Sequence, residues 1–582
     1  MVTDDMTIVF GGDAGQGIRS TGLGFIKANA RSGLFPFGRQ DYKSRIRGGH
    51  NFFEIRVARE EIYSHTEGID LLVAITEETV TEHLEEIVAG GGIIYDEGLD
   101  VDPEELKDNG VEPYPVPLNR IAMEEGGAKI MANTAAIGAI VGLTGFDLSY
   151  IEGIIEENFA VKGDEVVQNN LDVARAGVEY VDSHGYSANY HLEPVPESEE
   201  RMVINGNQAF ALGAVAGGCN FVSAYPMTPS TSILEWITKH SQELSIVTKQ
   251  PESELAAVNM AIGASHVGAR ALVTTSGGGF SLMVEALGLA GMTETPLVIA
   301  EVSRPGPSTG LPTRTGQGDL MSVVHASQGD FPRIVLTPGT ISEAFQAGAR
   351  SFNLAEKYQT PVITLSDQHL ADSIRAVDPG IIDMEGVEID RGELLTEEEL
   401  DSLEGTYLRH EFTETGVSPR ALPGHENAVY KTTGNEHTEK GDITEDPEIR
   451  MKMMDKRAKK AETALENDIE SPIAEGPEDA EISLLCWGST YGAAKEAIER
   501  LPEKGVRANL CHLRDAWPFP AEEVTGFLDG AEKTVLVEGN GSGEMKKLIS
   551  QETGRVVDHE VLKYDGRPFT PDYIVEKVEE VI

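Results

Sequence analysis

Three times along this chain a short apolar run stops at glycine, and the apolar spacing then changes from strand-like to helical. Thr7-Ile8-Val9-Phe10 runs into Gly11-Gly12-Asp13-Ala14-Gly15-Gln16-Gly17-Ile18, and Leu23, Phe25 and Ile26 follow at helical spacing. Ala271-Leu272-Val273-Thr274 runs into Thr275-Ser276-Gly277-Gly278-Gly279. Ile482-Ser483-Leu484-Leu485-Cys486-Trp487 runs into Gly488-Ser489-Thr490, with Ala494, Ala497, Ile498 and Leu501 beyond. Each is a strand–glycine turn–helix unit, the element from which α/β sheets are built. Further strand signals lie at Leu71–Ile75, Gly92–Tyr95, Phe221–Ala224, Leu297–Ala300, Pro361–Leu365 and Val535–Glu538. Continuous apolar runs of this kind suit parallel strands covered on both faces. The fold class expected is therefore α/β, and 582 residues suggest three such domains.

Breaks in the pattern set the expected boundaries. Val181 to Arg201 turns polar and carries Pro194 and Pro196, so a first domain is placed at 1–190 and a second at 203–375. From Ala376 to Ala480 periodicity is lost and charge is high, apart from a basic helix candidate at Lys456-Arg457-Ala458-Lys459-Lys460. That segment, 376–480, reads as an acidic linker or as an arm lying on a neighbour. A smaller third domain occupies 481–582.

The charge balance narrows the function. There are 97 acidic and 47 basic residues, a formal net charge of −50. Such a surface repels phosphate backbones and anionic lipid, so no nucleic-acid or membrane partner is expected. The dispersed acidity resembles that of proteins from salt-accumulating microbes, where screening removes self-repulsion. The three cysteines, Cys219, Cys486 and Cys511, form no CxxC pair and are too few for an iron–sulfur cluster. With an acidic N-terminus lacking a signal pattern and no apolar run of about 20 residues, the expected location is the cytoplasm.

Several constellations carry chemistry. The first glycine loop reads G-x-x-G-x-G rather than G-x-G-x-x-G, which disfavours an ordinary dinucleotide site. Tyr42-Lys43-Ser44-Arg45-Ile46-Arg47-Gly48-Gly49-His50 gathers three cations in a very acidic chain, so it fits an anionic ligand or salt bridges to neighbouring carboxylates. In the middle domain four loops follow strand signals: Tyr225-Pro226-Met227-Thr228-Pro229-Ser230-Thr231, Pro251-Glu252-Ser253-Glu254, the Thr275–Gly279 run, and Arg304-Pro305-Gly306-Pro307-Ser308-Thr309-Gly310-Leu311-Pro312-Thr313. Loops at the C-terminal ends of strands are where α/β sheets bind ligands. Glu254 is either a helix-capping residue or a buried acid.

The middle block resembles the pyrimidine-binding domain of 2-oxoacid:ferredoxin oxidoreductases. The match rests on Tyr225–Pro229, on Glu254 in its acidic–alanine context, on Thr275-Ser276-Gly277 and on the Arg304–Thr313 string. The first block is similar to the family's gamma domain and the last to its transketolase C-terminal-like domain. Met227 stands where isoleucine is commoner, a volume-conserving change. The resemblance implies thiamine diphosphate as cofactor, with Glu254 at N1′ of its aminopyrimidine. It implies Thr228, Tyr225 and Pro226 beside the cofactor, and Arg304 facing the substrate carboxylate. Ser308, Thr309 and Thr313 would line the substrate pocket, while Arg45 and Arg47 would hold the phosphates of CoA. No Gly-Asp-Gly motif occurs. The family places the diphosphate, Mg2+ and [4Fe-4S] sites on a separate beta subunit, so an (alpha–beta)2 assembly that reduces ferredoxin is implied. Oxidative decarboxylation of 2-oxoglutarate is favoured over that of pyruvate. The rival is a non-catalytic thiamine-fold scaffold.

Overall fold

The structure, a computed structural model, describes residues 5–13, 15–43, 49–196 and 198–581. It divides into two compact units. The first comprises Met1–Ile204 with Asp372–Ile381 and Thr570–Tyr573; the second comprises Asn205–Ala371, Ile382–Phe569 and Ile574–Ile582. No described helix is long and apolar enough to cross a membrane.

The first unit is built on a mixed eight-stranded sheet. Asp5–Asp13 lies at its centre, parallel to Ile69–Ala74 and antiparallel to His50–Ala58. The strand therefore runs through Gly11 and Gly12, which the sequence assigned to the loop. Asp13 pairs with His50 across the ladder, and helix Ile18–Arg31 starts only after Gly17 at φ 84°. Side chains would not fit at Gly11, where a Cβ would lie 2.9 Å from His50 Cε1 and press on Thr79. The His50–Ala58 and Phe35–Asp41 hairpin carries no clean alternation in sequence and was not expected as strand. One face of His50–Ala58 puts Phe53 and Ile55 into the apolar core, while the other carries the buried charges Glu54 and Arg56.

The second unit holds two sheets. The larger has the order Asp515–Trp517, Ile334–Leu336, Pro361–Asp367, Leu297–Ser303, Ala271–Thr275, Phe221–Ser223, Val247–Lys249. All neighbours are parallel except the edge strand Asp515–Trp517. The smaller sheet is parallel through Ala508–Leu513, Ile482–Trp487, Thr534–Glu538 and His559–Leu562, with Ile473–Glu475 antiparallel at one edge. The two sheets share one apolar core, in which Ile299 and Ile363 join Leu485, Trp487 and Leu536.

The segment 382–480 is tied to this unit by buried charge rather than by apolar periodicity. It contains helix Pro447–Asn467, which starts at an Asp446 N-cap and Pro447. Lys456 donates to both carboxylate oxygens of Glu294 at 2.7 Å, and Lys460 pairs with the same group. His410 Nδ1 lies 2.8 Å from Glu294 Oε1. A second knot gathers Arg270, Arg391 and Arg420 on Glu356, each at 2.6 Å. Asp372–Ile381 belongs instead to the first unit, where Ile374 pairs with Gly38.

Candidate active site

The middle-domain residues singled out in sequence sit where the larger sheet ends. Phe221–Ser223 delivers the chain into the Tyr225–Ser230 loop. Asn207, buried beneath it, donates to Pro229 O at 2.9 Å and to Ser232 Oγ at 2.7 Å. Ser230 Oγ closes the turn on Met227 O. The loop is thus fixed from below, Thr228 is half-buried and Tyr225 is 40% exposed.

Arg304 leaves the end of Leu297–Ser303 and reaches across to this loop. Its Nη1 donates to Thr228 O at 2.6 Å, so two residues 76 positions apart form one wall. Burial lowers the Arg304 pKa, while Asp319 and Glu301 oppose that shift. The guanidinium is charged across any accessible pH. Among the described residues only Nη1 donates, which leaves the rest of the fork for a carboxylate.

Of the two readings left open in sequence, Glu254 is a buried acid, and the helix cap is its neighbour Ser253. Glu254 is the first residue of helix Glu254–His266, whose N-cap is Ser253, with Ser253 Oγ accepting from Ala256 N at 3.3 Å. Glu254 is also 5% exposed, whereas Glu252 is exposed. Among the described residues no group donates a hydrogen bond to the Glu254 carboxylate. The carboxylate is thus able to accept an N–H of a bound heterocycle. The position beside the helix start Gly277–Thr293 is equally specific. A Cβ on Gly279 would come within 2.8 Å of Glu254 Cγ and 2.9 Å of Oε1. These residues fit the aminopyrimidine half of thiamine diphosphate.

The Thr275–Gly279 run is not an open phosphate cradle. Asp319 lies over its first glycine, so that a Cβ on Gly277 would meet Asp319 Oδ2 at 2.5 Å. Ser303 Oγ donates to the same oxygen at 2.6 Å. An intrachain carboxylate therefore already takes the favourable place at this helix N-terminus.

Ser308 approaches the same helix start: a Cβ on Gly278 would lie 3.7 Å from Ser308 O. Ser308 and Thr309 are exposed, and Thr313 is half-buried. No described contact joins Thr309 or Thr313 to Glu254. Arg45 and Arg47 lie outside the described residues. Lys43 is described and exposed, its backbone N–H donating to Asn51 Oδ1.

Sequence reasoning missed the groups behind this wall. Glu301 is fully buried in Leu297–Ser303, and Asp367 is 1% exposed at the end of the neighbouring strand. Burial, then Asp319 nearby, pushes the Glu301 carboxyl well above the usual range. The one signal was a lone acid inside the apolar string Leu297-Val298-Ile299-Ala300-Glu301-Val302. Gln317 was also missed. It accepts from Gly539 N at 2.7 Å and donates to Trp487 O at 2.8 Å, so the glycine turns of the smaller sheet fasten the Arg304 loop.

Comparison with known proteins agrees with this geometry. Residues 212–456 match the model of the thiamine-diphosphate-binding domain of pyruvate flavodoxin/ferredoxin oxidoreductases. Residues 7–180 match the pyruvate ferredoxin/flavodoxin oxidoreductase model, and 480–574 match core domain II of pyruvate:ferredoxin oxidoreductase. The alpha subunit of 2-oxoacid:ferredoxin oxidoreductase 2 from Aeropyrum pernix is 34% identical over 99% of this chain and 98% of its own. The 2-oxoglutarate oxidoreductase subunit KorA of Mycobacterium tuberculosis is 31% identical over 89% of this chain and 83% of its own. A solved 2-oxoglutarate:ferredoxin oxidoreductase from Magnetococcus marinus, with 2-oxoglutarate, coenzyme A and succinyl-CoA bound, superposes with TM-score 0.93 at 32% identity over 99% of both chains. Matched by the Aeropyrum pernix and Magnetococcus marinus relatives over 99% of its length, the chain belongs to the family of 2-oxoacid:ferredoxin oxidoreductase alpha subunits.

Proposed function

We propose that this chain carries the aminopyrimidine-binding half of a CoA-dependent 2-oxoacid:ferredoxin oxidoreductase, with 2-oxoglutarate favoured over pyruvate. The observation that carries the reading is Glu254, 5% exposed and receiving no hydrogen bond from the described residues, together with Arg304 held on Thr228 O. Bound thiamine diphosphate supplies the nucleophilic carbon that attacks the keto group and holds the electrons left when CO2 departs. Glu254 holds a proton relationship with N1′ of the aminopyrimidine, which makes the exocyclic nitrogen basic. Arg304 orients the substrate carboxylate by a charge-assisted pair, and Thr228 fixes Arg304 through its carbonyl. Tyr225 and Pro226 border the cofactor, while Ser308, Thr309 and Thr313 line the substrate side. Arg45 and Arg47 bind CoA phosphates.

The site is completed by a beta subunit bearing the diphosphate, Mg2+ and [4Fe-4S] sites, and the electrons go on to ferredoxin from an (alpha–beta)2 assembly. Supporting this, helices Glu254–His266 and Gly277–Thr293 are apolar almost all round, yet Leu255, Met260 and Leu282 are 51%, 44% and 48% exposed. An apolar helix face beside a reaction site needs a cover. All three cysteines are buried, and three thiols cannot supply the four ligands of a cluster.

The test is turnover by this chain reconstituted with its beta subunit. Glu254→Gln is expected to lower it by about 10²-fold or more, while Glu252→Gln leaves it within about twofold. Equal losses would show that the wrong carboxylate is assigned. A substrate panel on the same complex settles the oxoacid. Arg45→Ala with Arg47→Ala is expected to raise the KM for CoA by about tenfold or more without moving that for the oxoacid.

A further inference from the structure

We infer that Gly279 is a positioning residue for Glu254: its missing side chain sets where the carboxylate stands against the cofactor. This rests on the reading that Glu254 meets the thiamine aminopyrimidine.

Three consecutive glycines open helix Gly277–Thr293, and each is approached by a different part of the site. Asp319 lies against Gly277, Ser308 O faces Gly278, and Glu254 lies against Gly279. Gly279 is buried and helical, and its φ is not among the positive ones. The backbone itself would therefore accept alanine, and helix propensity would favour it. What forbids a methyl group is its neighbours. It would press hardest on Thr275 Oγ1, and would also lie 2.8 Å from Glu254 Cγ and 2.9 Å from Glu254 Oε1. No hydrogen bond among the described residues restrains the Glu254 carboxylate. The flat face of Gly279 and the helix start at Ser253 are what fix it. Geometry at a reacting centre is exacting, and a misplacement of about 1 Å can lower turnover about 10²-fold.

The experiment uses this chain assembled with its beta subunit and loaded with thiamine diphosphate. The readouts are cofactor affinity by titration calorimetry and the near-ultraviolet circular dichroism of the 1′,4′-iminopyrimidine, the tautomer that the glutamate stabilises. Gly279→Ala is expected to abolish that band and weaken cofactor binding by about tenfold or more, while the complex still assembles. Gly526→Ala, at an exposed helical glycine with nothing within 4 Å, should alter neither readout. Thr275→Ala with Gly279→Ala removes the hydroxyl contact but leaves the methyl against Glu254, so the band should stay absent. A band restored in that double variant, or one retained in Gly279→Ala, overturns the inference, because the glycine would then serve Thr275 or nothing. A double variant that fails to assemble also counts against it, since a purely local role would not unfold the chain. Glu254→Gln separates the two levels. A band that survives it removes the underlying reading of Glu254, whereas a band lost there but kept in Gly279→Ala removes only the inference.

Discussion

Glu294, which caps helix Gly277–Thr293 just before the strand Leu297–Ser303, and Glu301, inside that strand near its C-terminal end, are seven positions apart and both fully buried. Their carboxyls are shifted in opposite directions from the ordinary range. Burial alone would raise both carboxyls. At Glu294 it is outweighed by Lys456, Lys460 and His410, which hold that carboxyl well below its ordinary range. At Glu301 burial is reinforced by Asp319 and Asp367, and Arg304 only partly offsets it. Glu294 is thus an ionic fastening for the 382–480 segment, whereas the surroundings of Glu301 favour its protonated form. The lesson is that residue type and burial together do not fix ionisation; the sign of the nearest partner does.

The comparison breaks most visibly at Glu294. Glu294→Gln strands two buried lysines, and removal of one partner from a buried pair costs about 3–5 kcal/mol. The expected outcome is rapid tryptic cleavage between residues 405 and 460, together with a lower melting temperature. An arm that stays protease-resistant would show that the knot is not what holds it.

Next in size is a pair of opposite pH slopes. Glu538, buried under Trp487, is pushed up to about 7 by burial, against hydrogen bonds from Met545 N and the Trp487 indole. The folded state therefore binds this proton where the unfolded chain has lost it. Stability is full below about pH 4.5 and falls as pH rises towards 7, by about 3 kcal/mol at most. His410 runs the other way. Burial lowers it to about 3, against the pull of Glu294. Its contribution is full above pH 6.5 and falls as pH drops, by about 2 kcal/mol at pH 5. Melting curves at pH 5 and 8 should lose the first slope in Glu538→Gln. Protease protection of the arm should lose the second in His410→Gln.

Glu301→Gln sharpens the contrast from the other side. It replaces a carboxyl whose surroundings favour the protonated form by a neutral amide, and the expected change is within about 1.5 kcal/mol. A loss as large as that at Glu294 would mean that Glu301 is ionised.

The smallest effect is expected at Arg507 and Asp479, an ion pair with both side chains more than half exposed. Arg507→Gln should shift stability by no more than about 1 kcal/mol. Added salt should erase even that while leaving the Glu294 fastening intact.

Much of this molecule was legible in the chain. The glycine-terminated strands announced parallel α/β sheets, since a strand that stops at glycine and restarts as a helix has few other ways to pack. The loops that carry Thr228, Glu254 and Arg304 were also legible, because proline, glycine and hydroxyl residues at strand ends leave a local signature. The 382–480 segment was not legible as part of a packed unit. Its buried ion pairs lie far off in sequence: Lys456 meets Glu294 across 162 positions and Arg420 meets Glu356 across 64. No period in the segment itself records a partner that distant.

Sequence by itself determined the α/β class, the acidic surface, the lack of cluster cysteines and the residues from which the site is built. Only the tertiary structure decided how those residues stand. It made Glu254 both the first residue of a helix and a buried acid, and it placed Arg304 on Thr228. It also closed the Gly277 helix start with Asp319 and set Glu254 against the bare face of Gly279. Those outcomes depend on distances between segments brought together by a shared core, and a linear pattern encodes the segments but not the gap between them.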